Sequence, residues 1–308
     1  MNPILLAAVL LALGAPKLDP PRQEPAATAA DLAAQPRSEG ETLAFFHANG
    51  RKAREGLIAR GRRVGAWKGW WPNGKPQYEG SFQDYQRVGA WTFWREDGSK
   101  EMAGEFEDGR RHGVWTFFHA DGSKEREGRY EDGVAVGTWT YSYPNGKKRE
   151  QGPMVNGLRH GRWTSWAEDG ETKFAEGEYA FGLQTGIWTR WHPGGEVAFQ
   201  GPWFAGHEHG EWKRWHDNGQ LESQGSYALG AMTGVWTTWH RNGVTASTGT
   251  YERGLRTGEW TFWWPNGMKK QTSVAVNGEW EGEVTFWKDD GAKDATLSGV
   301  YEKGQKVR

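Results

Sequence analysis

Cysteine is absent from the 308 residues. That excludes disulfides, a thiol nucleophile and any cysteine-ligated metal. An excess of one charge is missing as well: 38 Lys+Arg stand against 39 Asp+Glu. No net field therefore draws the chain to nucleic acid or to an anionic membrane. The one basic cluster, RKAREGLIARGRR from Arg51 to Arg63, is too local to alter this and reads as a solvated edge. Aliphatic side chains are sparse, with hydrophobic residues at only 36%, and their place is taken by 45 glycines and 21 tryptophans. Large rings beside glycines point to strands and tight turns rather than helices.

No apolar run is long enough to span a bilayer as a helix. Ile4–Leu13 has the length of a signal-peptide core, and small residues follow it. Ala12-Leu13-Gly14 satisfies the small-x-small rule, so residues 1–14 are expected to be a signal peptide, although no Lys or Arg precedes the apolar run. Absence of a following cysteine excludes a lipoprotein anchor. Residues 15–40, rich in Ala and Pro, read as a disordered linker. The expected location is therefore exported, periplasmic or extracellular.

The chain then repeats itself. A glycine followed two residues later by Trp occurs at Gly65/Trp67, Gly89/Trp91, Gly113/Trp115, Gly137/Trp139, Gly161/Trp163, Gly186/Trp188, Gly210/Trp212, Gly234/Trp236 and Gly258/Trp260, and Gly282 opens a further copy with Val284 in place of Trp. The period is 24 residues, with one interval of 25 between Gly161 and Gly186. Such a period marks a linear array whose units need neighbours to bury their surface. The units carry an Asn-Gly or Asp-Gly turn, from Asn73-Gly74 to Asp290-Gly291, with Gly194-Gly195 in its place in one copy, and proline precedes it at Pro72, Pro144 and Pro265. That signal predicts a type I turn with a bulge glycine. A second, looser turn precedes the next Gly-x-Trp. Residues 41–63 read as a degenerate N-terminal cap and 64–308 as the array, with Ser273, Ala275 and Val284 marking a degenerate C-terminal end.

The pattern G-x-W-x-x-W-x-x-N-G followed by G-x-Y-x-x-G resembles the variant form of the MORN (membrane occupation and recognition nexus) repeat over about residues 64–304. The resemblance implies an all-β fold, an elongated single-layer antiparallel sheet of about ten stacked 24-residue β-hairpin repeats. It also implies non-catalytic roles: protein scaffolding, lipid association, or service as the antitoxin of a toxin–antitoxin pair. The Trp-rich first strand departs from the commoner MORN pattern, and membrane association is not expected here.

Spacing also predicts a register. With a four-residue looser turn at Asp108–Arg111, Glu107 faces His112, Phe106 faces Gly113 and Gly104 faces Trp115. The same offsets pair Gly128 with Trp139, Tyr130 with Gly137, Gly177 with Trp188, Tyr179 with Gly186, Gly225 with Trp236 and Tyr227 with Gly234. Each large ring then lies over a strand glycine, and the first tryptophan of each unit is structural. The second, three residues on, falls on the other face: Trp70, Trp94, Trp166, Trp191, Trp215, Trp239, Trp263 and Trp287, with Phe118 and Ser142 in two copies. Threonines (Thr92, Thr116, Thr140, Thr164, Thr189, Thr237, Thr261, Thr285) and carboxylates (Glu105, Glu127, Glu176, Glu178) share that face. Rings about 10 Å apart, two strand spacings, form a candidate ligand-binding row. Packing against Lys100, Lys124 and Lys269 is the alternative.

No Ser-His-Asp cluster, phosphate loop or cofactor fingerprint is present, and no enzymatic activity or cofactor is expected. His119, His192, His216 and His240 recur too far apart to share a metal ion and read as a surface column. No metal site is expected, at His207-Glu208-His209 or elsewhere. These features predict a binding scaffold at the cell envelope with an unidentified protein partner. Cell-wall polysaccharide or peptidoglycan is the second candidate ligand, antitoxin activity the third, and nucleic acid is excluded as a partner.

Overall fold

A computed structural model describes residues 40–308. The expected signal peptide, and all but the last residue of the linker, lie outside the described residues. Among the described residues there is no helix, and 25 strands follow one another in chain order. The fold is all-β, a single layer of antiparallel strands in which each hairpin pairs with the next. It forms two compact units. The first ends at Gly161 and takes in Glu168–Gly170; the second comprises Arg162–Ala167 and Glu171–Arg308.

One repeat illustrates the rest. The strand Gln86–Trp94 pairs with Lys100–Glu107, which pairs with Arg110–Phe118. Between the first two, the Gly98 N–H donates to Arg95 O at 2.9 Å, the Arg95 N–H donates to Ser99 O at 2.8 Å, and Gly98 has φ 88°. This is the expected type I turn closed by a bulge glycine. The Asn or Asp before the glycine bonds forward, as where Asn73 Oδ1 accepts from Lys75 N at 2.9 Å. Asparagine also reaches the next repeat's turn: Asn73 donates to Glu96 O at 2.7 Å, Asn242 to Pro265 O at 2.7 Å and Asn266 to Asp289 O at 2.6 Å. An aspartate carboxylate has no proton to do this.

The second turn differs from the four-residue expectation. Glu107 pairs with Arg110, leaving a two-residue turn of Asp108 (φ 48°) and Gly109 (φ 77°). Two positive φ values make it a primed turn, whose twist suits a hairpin. The two residues thereby released are taken up further along: register shifts between Ala103 and Glu105, opposite Gly113, which has φ 67°. The unit glycine is thus a bulge. As a result Phe106 pairs with Arg111, and across its other edge with Gly89, while Tyr130 pairs with Ala135 and Gly113. Likewise Tyr179 pairs with Gln184, and Tyr227 with Met232 and Gly210.

The tryptophan–glycine stacking is as expected. A Cβ added to Gly56, Gly80, Gly104, Gly128, Gly177, Gly201, Gly225 or Gly249 would sit within the ring of the following unit tryptophan. Those rings are the core: Trp115 is 0% exposed, and Trp67, Trp91, Trp139, Trp163, Trp188, Trp212, Trp236 and Trp260 are buried with it. Where an aromatic stands two residues after the strand glycine it meets the ring edge-on, with centroids 5.0 Å apart for Phe106–Trp115 and 5.1 Å for Tyr227–Trp236; Ile58 and Met154 hold that position in two units. Indole N–H groups are also used, Trp115 donating to Glu105 O at 2.9 Å and Trp236 to Ser226 O at 3.1 Å. One sheet thus builds its own core from rings laid along its surface.

Two irregularities have one cause. Where Pro153 and Pro202 follow the strand glycine, the next strand is split, into Leu158–Arg159 and Gly161–Trp166, and into His207–Glu208 and Gly210–Trp215. Proline has no N–H for the ladder. At the C-terminal end Val284 is 0% exposed without a ring of its own, and Trp280, four residues earlier, packs on Phe286 at 5.6 Å and Tyr301 at 5.5 Å. In residues 41–63 the strands Glu41–Phe46 and Lys52–Ala59 pair around a turn with the same two backbone bonds, Gly50 N to His47 O and His47 N to Arg51 O.

Candidate functional site

The second tryptophan of a repeat stands at the last position of its strand, where register shifts before the type I turn, as at Trp94 opposite Lys100 and Trp215 opposite Leu221; Trp287 lies one residue past its strand, in a bridge to Lys293. In the first unit the row is Trp70 and Trp94, then Phe118 and the buried Ser142. In the second it is unbroken: Trp166, Trp191, Trp215, Trp239, Trp263 and Trp287. All eight are half-buried. Side-chain contacts place them on the threonine face. Lys173 lies 5.5 Å from the Trp191 ring centroid and bonds Glu176 at 2.8 Å, and Glu176 accepts from Thr164 Oγ1 at 3.1 Å.

Lysine cover is present at a few positions. Lys52 lies over Trp70 at 5.3 Å and Lys100 over Phe118 at 5.4 Å, whereas Lys124 bonds Glu127 at 2.6 Å. The flanking polar residues largely satisfy one another. Thr116 donates to Glu127 at 3.0 Å, Gln151 to Thr140 at 2.9 Å and Gln200 to Thr189 at 2.9 Å. Hydrogen bonds from Lys124 and then Thr116 hold the Glu127 carboxyl below its ordinary value, and Lys173 and Thr164 do the same to Glu176. Among these groups stand exposed aliphatics one residue after the unit glycine, with Val114 57%, Ile187 56% and Val235 65% exposed. Apolar side chains and satisfied polar rows alternate across the face.

The histidine column is not a bare surface feature. A histidine that opens a type I turn donates to the carbonyl of the second tryptophan position one repeat on: His47 to Trp70 O at 2.8 Å, His119 to Ser142 O at 3.0 Å, His192 to Trp215 O at 2.8 Å, His216 to Trp239 O at 3.0 Å and His240 to Trp263 O at 2.9 Å. Trp71 and Trp264 do the same with their indole N–H, to Trp94 O at 3.1 Å and Trp287 O at 3.0 Å. These bonds link repeat to repeat and pin the backbone beneath the tryptophan row. Among the described residues no three His, Cys, Asp or Glu side chains gather as a metal site, and no helix is long and apolar enough to cross a membrane.

Arginine was not singled out by the sequence reading, beyond the cluster taken as a solvated edge. Arg54 and Arg63 of that cluster in fact lie over rings of the core face, Arg54 at 4.7 Å from Phe45 and Arg63 at 5.0 Å from Trp67. Arg87, Arg111 and Arg256 repeat the second arrangement at 5.0, 4.8 and 4.9 Å from Trp91, Trp115 and Trp260. The signal was available, an arginine four residues before the unit tryptophan.

A family model described as the MORN repeat variant matches residues 63–84, 111–132, 135–156, 208–228 and 232–253. These are MORN variant repeats. Each matched segment runs from one primed turn to the next, so the MORN unit here is the hairpin around the type I turn. The hairpin Gln86–Trp94/Lys100–Glu107, outside the matched segments, has the same register. MORN repeats generally mediate protein or membrane interactions. No curated protein matches the chain. Among solved structures, the crystal structures of TcdB2-TccC3 and of TcdB2-TccC3-Cdc42 match 85% of this chain at 11% identity, with TM-scores of 0.18 and 0.15. The chain spans 18% and 17% of theirs, and superpositions this loose assign it nothing.

Proposed function

We propose that this MORN-repeat chain is a non-catalytic scaffold, exported to the cell envelope, that holds a protein partner along the threonine face of its second unit. The observation supporting this is the unbroken tryptophan row from Trp166 to Trp287, half-buried and flanked by exposed Ile187 and Val235. Aromatic anchors on a backbone held rigid from below lose little entropy on binding. Export rests on the apolar segment Ile4–Leu13.

The test is capture of cell-envelope fragments by the purified chain, before and after protease digestion of the fragments. Capture that is lost on digestion, and lost in Trp191→Ala/Trp215→Ala/Trp239→Ala, supports a protein partner. A second reading, a wall polysaccharide lying along the row, is favoured by the regular spacing of about 10 Å. It takes first place where capture survives digestion. Capture unchanged by the triple substitution defeats both. Fusing residues 1–40 to a reporter checks export; a reporter retained in the cytoplasm removes the envelope from the proposal.

A further inference from the structure

The ring-bearing face changes composition in the second unit. Two residues after the unit tryptophan stand Phe93, Phe117 and Tyr141 in three repeats of the first unit, but Arg190 and Arg214 in the second. Three residues before the strand glycine the change runs the opposite way, from Glu101, Glu125 and Arg149 to Phe174. Cation and ring have exchanged places. The Arg190 guanidinium lies 4.1 Å from the Phe174 centroid and 5.7 Å from that of Phe199, and both Arg190 and Phe174 are exposed. Among the described residues Arg190 has neither a hydrogen bond nor an ion pair. A guanidinium stacked by its face keeps an edge of parallel N–H donors, and on Arg190 that edge is free.

These two residues line a hollow of about 370 Å³ at the type I turn rim, together with Phe199, Trp191 and Trp215. His192 ties the walls together, its ring donating to Trp215 O at 2.8 Å. The lining is largely apolar, and its free donor edge is single. Arg214, in the same lining, engages the Tyr227 hydroxyl, and its backbone stands two strand spacings, about 9.6 Å, from that of Arg190. Lys173 is held by Glu176 at 2.8 Å. The carboxylate of Glu222, also in the lining, disfavours a dianion such as phosphate by like-charge repulsion. The fit is to one monoanionic group joined closely to an apolar one. A chain terminus has that form, since its last residue carries a carboxylate and a side chain on one carbon. An internal Asp or Glu has polar backbone on both sides, which apolar walls would strip of water without replacing its hydrogen bonds.

We infer that this hollow receives the C-terminal residue of a partner protein, with its carboxylate on the Arg190 guanidinium and an apolar side chain against Phe174, Phe199 and Trp191. Capture of a terminal carboxylate is a recurring mode of peptide recognition. The inference rests on the protein-partner reading above, because Trp191 and Trp215 belong to the tryptophan row, and it names the part of the partner that seats there.

A labelled peptide ending in Ser-Phe-Leu with a free carboxylate is titrated with the full chain by fluorescence anisotropy, beside the same peptide as its C-terminal amide. The amide is expected to bind about tenfold more weakly, or worse. Arg190→Gln should bring the free acid down to the level of the amide and leave the amide unchanged. Phe174→Glu restores the residue type of Glu101 and Glu125, so it should fold, and it should weaken the free acid by about tenfold as well. Trp239→Ala/Trp263→Ala/Trp287→Ala lies outside the hollow and should bind the peptide as the parent does, even where it lessens capture of envelope fragments. Peptide binding that persists while capture is absent sinks the envelope reading and leaves the hollow as a terminus site. Acid and amide binding equally, or Arg190→Gln binding the acid as the parent does, overturns the inference whatever capture shows. So does octanoate displacing the peptide with an affinity equal to the peptide's own, which assigns the hollow to a free small acid, or no binding at all. Melting curves on each variant exclude unfolding as the cause of a loss.

Discussion

Glycine serves two unrelated ends within one repeat, and substitution separates them. Gly104 has an ordinary extended backbone, but the Trp115 ring occupies the space its side chain would need. Gly104→Ala is expected to cost about 2–3 kcal/mol through overpacking. Gly113 has room beside it and φ 67°, so Gly113→Ala costs about 1 kcal/mol in backbone strain, and Gly113→Asn is close to neutral because Asn tolerates that conformation. Denaturant melts of Gly104→Asn and Gly113→Asn decide it; equal losses would overturn the distinction. The converse case is Tyr85, at φ 71° in the position that Gly109 and Gly133 hold in the next two turns. Tyr85→Gly should stabilise the protein by about 1 kcal/mol, unless the Tyr85 bond to Gly61 O offsets the relief of strain.

At the scale of the hairpin, the contacts that matter run from one repeat to the next. His216→Phe removes the donor to Trp239 O and should cost about 1 kcal/mol. His216→Trp should be tolerated, since Trp71 and Trp264 already fill that role. Comparable losses in the two variants would mean that the ring's bulk, rather than its N–H, supports the turn. The threonine face adds a pH dependence. Glu127 and Glu176 are held below their ordinary 4.5 chiefly by the Lys124 and Lys173 bonds. Their folded state therefore favours the ionised form, which stabilises fully above 4.5 and progressively less as pH falls through the lowered values. Glu127→Gln/Glu176→Gln should flatten the fall in melting temperature below pH 4.5; an unchanged slope would place the acid sensitivity elsewhere.

For the molecule, the core is a chain of rings without a centre, and energetic coupling should decay with distance along it. Trp91 and Trp115 share Phe93 and Phe106 as ring partners, at 5.6 and 5.8 Å from the first and 6.4 and 5.0 Å from the second. Alanine at each should cost about 3–5 kcal/mol, and the double substitution should depart from additivity by about 1 kcal/mol or more. Trp67 packs on Phe45 and Phe82, and Trp139 on Phe117, Tyr130 and Tyr141. Having no shared ring, that pair should be additive within about 0.5 kcal/mol. A large coupling between Trp67 and Trp139 would show a globally cooperative sheet in place of a nearest-neighbour array.

The repeat, the all-β class, the type I turn and the burial of the first tryptophans were legible in the sequence, because each depends on residues close together in the chain. Asn-Gly states its turn, and a ring needs a glycine eleven residues back, as Trp115 needs Gly104. The face of the second tryptophans also followed from alternation along the strand. The second turn did not, since Asp108-Gly109 is compatible with both a two-residue and a four-residue connection. The choice lies in where the bulge at Gly113 falls, and that is set by packing against the neighbouring hairpin. For the same reason the histidines read as surface residues while they donate across the repeat boundary. The arginines of residues 51–63 read as solvent-facing while Arg54 and Arg63 lie on rings brought to them by other strands. Sequence determined what each hairpin is; only its stacking on the next decided which polar groups lie against the core and which are open to a partner.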